Sequence, residues 1–172
     1  MANKADFNTD EWSRVLASPL VVSTAITASD PSGLWGLMKE GAAGGWALLK
    51  VKQDATSNPL IKAVADDFSN GDARTLARDH VQSLFAGAQA AEMKRRAVND
   101  LRSIASILDT KAPADSMAFK SWLREVAQKA AEAAKEGGFL GFGGIAVSEA
   151  EKATLAEVSA ALGIATPATD GA

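Results

Sequence analysis

The stretch "SMAFKSWLREVAQKAAEAAKEGG" sets Phe119, Trp122, Leu123, Val126, Ala130 and Ala134 at steps of three and four, with charged residues opposite. That period belongs to an α-helix with one face buried, and such a face needs other apolar surface against it. The same period recurs along the chain. Met93, Ala97, Leu101, Ile104 and Leu108 form a stripe in "AAEMKRRAVNDLRSIASILD". Leu60, Ile61, Val64 and Phe68 form a shorter one, and Leu76, Ala77, Leu84 and Phe85 another. No segment alternates as a sheet strand does. The expected fold is all-α: a single-domain bundle of about six or seven helices over residues 9–163, with a flexible N-terminus (1–8) and a flexible tail (164–172).

Local signals set the helix boundaries. Asn8 and Thr9 precede "DEW", which puts acids in a first turn. Trp12, Val15, Leu16, Val22 and Ile26 continue that helix, and Pro19 inside it predicts a kink or a split. Asp30 and Pro31 open a further helix. "SNGD", Gly87 and "KAPAD" are breaks, with Asp72 starting the helix after the first. Ser148 and Glu151 form a capping box, in which each side chain satisfies the other residue's backbone N–H. Leu155, Val158 and Leu162 then face inward, and Gly163 ends the helix.

Two glycine-rich segments interrupt this regularity. "GLWGLMKEGAAGGWALLK" carries Trp35 and Trp46. Gly41 and Gly45, one turn apart, point to close helix packing; the weaker reading is a membrane-surface helix anchored by the two tryptophans. "GGFLGFGG" carries Phe139 and Phe142. It follows a helix rather than a strand and lacks a Gly-Lys-Ser/Thr ending, so it is neither a dinucleotide fingerprint nor a phosphate loop. Its phenylalanines either fill the protein's own core or face a partner. Trp35, Trp46, Phe139 and Phe142 are the candidate partner-binding residues.

Composition removes several chemistries. With 0 cysteines, thiolate catalysis, disulfides and cysteine-ligated metal sites are absent. With 1 histidine, multi-histidine metal sites are absent as well. A net charge of −3 gives no general attraction for nucleic acid. "VLASPLVVSTAITA" has the apolarity of a signal-peptide core, but Asp6, Asp10 and Glu11 precede it where positive charge is required. It is also too short and polar to span a bilayer. A buried helix in a cytoplasmic protein is expected. His80 lies at the edge of an apolar face, one turn from Leu76 and Leu84, where a packed or hydrogen-bonded role outweighs that of a base. Asp79, its neighbour in sequence, points elsewhere. No catalytic residues are assigned.

"AAEAAKEGGFLGFGGIAVSEAEKATLAEVSAALGI" resembles the second half of TerB-like tellurite-resistance modules. Those modules have an alanine-rich helix, an Ala-Asp-Gly-type turn, and an acidic Glu-x-x-x-Leu helix closing on Leu-Gly-Ile or Leu-Gly-Leu. The matching positions are Glu136-Gly137, Glu149 and Glu151, and Leu162-Gly163-Ile164. "STAITASDPSGL" resembles a first copy, with Asp30 at the turn. The resemblance covers about a third of the chain. The turn acid is glutamate rather than aspartate in the second copy, and an apolar insertion precedes the capped helix. The resemblance implies a helical bundle without catalytic machinery, no organic cofactor, and a role in stress response or membrane-associated complexes. It also implies binding of a protein partner or a divalent cation, with Asp30, Glu136, Glu149 and Glu151 as the metal candidates.

Overall fold

Asn8 and Glu11 start helix α1 (Thr9–Ser29) by capping each other. The Asn8 side-chain oxygen accepts from the Glu11 N–H at 2.9 Å, and the Glu11 carboxylate accepts from the Asn8 N–H at 2.8 Å. The computed structural model describes residues 2–29, 58–136 and 147–165, except for the side chains of 133–136. After a one-turn 3-10 helix (Lys4–Asp6) and α1 come α2 (Pro59–Asp67), α3 (Gly71–Phe85), α4 (Ala90–Lys111), α5 (Pro113–Glu136) and α6 (Glu149–Leu162). No strand occurs among the described residues. The chain is an all-α, single-domain bundle with one core drawn from all six of these helices.

Helix α1 is the axis of that bundle. It packs against α3, α4, α5 and α6 and also touches α2. Trp12, Val15, Leu16, Ala17, Val21, Val22, Ala25, Ile26 and Ala28 are all buried, and so are Ser13, Ser18, Pro19 and Ser23. An ordinary surface helix buries one stripe; this one is enclosed on nearly every side. Enclosure requires every hydroxyl on it to find a partner. Ser13, Ser23, Thr24, Thr27 and Ser29 all donate to backbone carbonyls of the preceding turn, so the helix supplies its own acceptors.

Of the kink or split expected at Pro19, the split does not occur, because α1 runs through it without interruption. Proline removes the N–H that would bond the carbonyl four residues earlier, here Val15. The Ser18 hydroxyl donates to that same carbonyl at 2.7 Å. The neighbouring side chain thus replaces the missing backbone donor at a fully buried position.

The remaining helices follow their sequence signals closely. In α4, Ala97, Leu101, Ile104 and Leu108 are buried; in α5, Phe119, Trp122, Leu123, Val126 and Ala130 are. Only Ala112 separates these two helices. Glu11 with Lys111 (3.6 Å) and Arg14 with Asp100 (2.5 Å) set α1 antiparallel to α4. At the far end of the chain, Gly163 has φ of 68°, the Gly163 N–H bonds Ala160, and the Ile164 N–H bonds Ser159. This is a Schellman closure, which needs the left-handed conformation glycine allows.

Residues 2–8, expected to be loose, are anchored. Ala2 and Phe7 belong to the core, and Phe7 packs on Trp12 with ring centroids 5.6 Å apart. The Ala2 N–H donates to Asp115 at 2.7 Å, and Lys4 pairs with Asp67 at 2.9 Å. The helix expected after Asp30 and the segment with Trp35 and Trp46 lie outside the described residues.

The Ser18 bridge makes a double-mutant test. Ser18→Ala strands a buried carbonyl and is expected to lower unfolding free energy by about 1–2 kcal/mol. In a Pro19→Ala background the helix regains its own N–H at that point, so the same change becomes nearly neutral. Urea denaturation of the four proteins measures the coupling, expected at about 1 kcal/mol.

Candidate functional site: a carboxylate shared by three helices

Asp100 sits inside the apolar stripe of α4, three residues after Ala97 and four before Ile104. That position turns its side chain toward the core. The carboxylate is 3% exposed. One oxygen takes the Arg14 guanidinium of α1 at 2.5 Å, and the other takes Nε2 of His80 of α3 at 3.0 Å. A buried carboxylate has to be paired and fully hydrogen-bonded, and here two neighbouring helices supply the donors. Burial works against the Arg14 charge, but the hydrogen bond to Asp10 and the charges of Asp100 and Asp10 outweigh it and raise its pKa above the ordinary value.

With Asp100 ionised, His80 must carry its proton on Nε2 to donate. That orients the imidazole, one condition for acid–base chemistry. The His80 side chain is only 12% exposed, so the pair lies within a helix junction and not in an open cleft. Asp79, as expected, does not share this environment and is exposed. The partner of His80 is twenty residues downstream, on the next helix. Asp100 is missed from sequence alone; the signal that could have found it is an acid placed within the apolar stripe of α4.

Three further acids act in the same way. Asp115 accepts from the Ala2 N–H and, on its other oxygen, from the Asn58 amide at 2.7 Å. Asn58 in turn caps α2 by accepting from the Leu60 and Ile61 N–H groups. Asp67 accepts from the Trp12 indole at 2.8 Å and from Lys4. Asp109 holds the α4–α5 junction, taking Lys120 on both oxygens at 2.6 and 2.7 Å and the Ser116 hydroxyl at 2.6 Å. Among the described residues, no buried side-chain nitrogen or oxygen is left without a partner. A shallow depression of about 280 Å³ opens beside Asp115, Asp6 and Lys111.

Of the four metal candidates, only Glu149 and Glu151 have described side chains, and each is engaged within the fold. Glu151 is buried and spends its carboxylate on the Ser148 N–H at 2.8 Å, completing the expected capping box. Glu149 is exposed and pairs with Lys152 at 2.7 Å. Glu136 ends α5, and its side chain is outside the described residues, as are Asp30, Trp35, Trp46, Phe139 and Phe142. Among the described residues, no group of three or more acidic or histidine side chains is placed to hold a metal ion. No described helix is long and apolar enough to cross a membrane. Comparison with protein-family models, with curated proteins and with solved structures gives no match.

Two outcomes follow from these contacts. Arg14→Met leaves the Asp100 carboxylate buried with one partner fewer and is expected to destabilise the fold by about 2–3 kcal/mol; Arg14→Met with Asp100→Leu recovers most of that in urea denaturation. Hydrogen bonds from Lys120 and Ser116, with the Lys120 charge, hold the Asp109 pKa below the usual carboxylate value, against the effect of burial. A depressed carboxylate stabilises the fold above its unfolded pKa of about 4, and the gain is lost as pH falls through the folded value. The Asp109 side chain is 60% exposed, so solvent screening keeps the gain to about 1 kcal/mol or less. Asp109→Asn is therefore expected to be less stable than wild type at pH 6, with the gap closing toward pH 2.

Proposed function

We propose that this chain is a non-enzymatic, cytoplasmic helical binding module of the TerB-like type that acts by contact with a protein partner. The observation that carries the reading is where the buried polar groups are spent. Asp100, Asp115 and Glu151 hold helices or helix ends to one another, with their oxygens engaged inside the fold. Groups tied up in this way serve as joints rather than as reactants.

The apolar surface points the same way. Among the described residues, Met117, at 61%, is the one large hydrophobic side chain that is exposed. In this reading the contact surface is assigned to Trp35, Trp46, Phe139 and Phe142, the aromatic residues of the two glycine-rich segments. The divalent-ion reading draws less support, since Glu149 and Glu151 are occupied by Lys152 and by the cap. The TerB-like resemblance adds stress response as the setting.

The chain's 4 tryptophans make a direct test. Trp12 and Trp122 are buried, so acrylamide should quench little of their emission. If Trp35 and Trp46 form a contact surface, the free protein has a quenchable component that disappears in Trp35→Phe/Trp46→Phe. Full protection of all emission in the monomeric protein, verified by sedimentation velocity, would count against the reading.

A further inference from the structure

Among the described α-helices, α3 alone buries no apolar side chain larger than alanine. Ala73 and Ala77 are its buried residues; Leu76, Val81, Leu84 and Phe85 are half-buried against the core. By contrast, α4 buries Leu101, Ile104 and Leu108, and the nine-residue α2 buries Leu60, Ile61 and Val64. Burial of large side chains is the main term that holds one helix to another, so α3, whose larger apolar side chains are only half-buried, gains less from packing than full enclosure would give.

Polar clips supply the rest. The His80 ring is bonded to Asp100 in the middle of α3. At its end, the Arg96 guanidinium donates to the carbonyls of Leu84 at 3.0 Å and Ala86 at 3.2 Å. These are carbonyls a helix C-terminus leaves open, and a cation there also suits the helix dipole. Arg96 is itself held by Glu92 at 2.7 Å.

Both clips separate cleanly from the core. When His80 leaves, Asp100 keeps Arg14, so no buried charge is stranded. When the α3 terminus leaves, Arg96 keeps Glu92. Turns bound the helix on each side: Asn70 caps its start, and Gly87, with φ of 68°, turns the chain after its end.

We propose that α3 is a latched strap over α1, opening as one unit while α1, α4, α5 and α6 stay folded, with His80–Asp100 and Arg96 as its two latches. This goes beyond the binding role proposed above and does not depend on it. It gives the protein a second state in which one flank of the enclosed helix is uncovered, and any ligand that prefers that state shifts the population toward it.

Native-state hydrogen exchange read by mass spectrometry, over a series of low urea concentrations, tests the proposal on the wild-type protein. Peptides from 71–85 are expected to exchange at least about tenfold faster than those from α1, α4 and α5, with a smaller urea dependence. His80→Ala and Arg96→Ala are each expected to speed exchange of α3 by about five- to tenfold and leave α5 unchanged. Wild-type α3 exchanging at the same rate and urea dependence as α1 overturns the proposal, as does acceleration spread equally over the molecule in both variants. The wild-type measurement decides on its own if either variant fails to fold.

Discussion

Everything in this bundle is arranged around a helix that has almost no solvent-facing side. Enclosing α1 makes a large core possible in a chain of 172 residues. It also demands that a segment as polar as "SPLVVSTAITAS" bring nothing unsatisfied inside. The helix meets the demand locally. Its hydroxyls donate to its own carbonyls, and the one carbonyl that proline deprives of a donor is served by the adjacent serine. Serine and threonine are often regarded as weak helix residues because they compete for backbone groups. Within a crowded core that same competition becomes the means of burial.

Around this axis, orientation is set by carboxylates. Asp67, Asp100 and Asp115 each join groups that are distant in sequence, Asp109 ties α4 to the adjoining α5, and each of the four engages two different partners. Apolar packing is non-directional, so several rotations of a helix bury similar area. A buried carboxylate whose two oxygens face different helices accepts far fewer arrangements. Arg14–Asp100–His80 is the most enclosed of these joints, and it fixes α1, α3 and α4 together.

How much of this was legible in the sequence depended on whether a signal was local. The stripes of α4 from Ala97 and of α5 as far as Ala130, the Ser148–Glu151 cap and the Gly163 stop are periodicities or short motifs, and these appear as read. At Pro19 a split is avoided because the rule concerns the lost N–H, while the compensation lies in the hydroxyl of Ser18. The residues before Asn8 seemed loose because Ala2 is anchored by an acid 113 positions away, a pairing no window reveals. For His80, the nearest acid in sequence drew attention, whereas the relevant one was on the next helix. Asp100 is not singled out by the sequence reading, although an acid three residues from one stripe position and four from another has to break the stripe or be neutralised within it, and that is the signal that could have found it.

The central position of α1 also bears on how the chain assembles. Its walls come from helices spread over the rest of the sequence, ending with α6 at Glu149–Leu162. During synthesis this enclosed helix is therefore made before most of the surfaces that will cover it. Contacts of such long sequence separation slow folding relative to a bundle of neighbouring hairpins. For that interval α1 is an exposed hydrophobic segment. The hydroxyls that let it sit in a dry core are then free to turn outward to water, which makes the same serines and threonines useful both before and after burial.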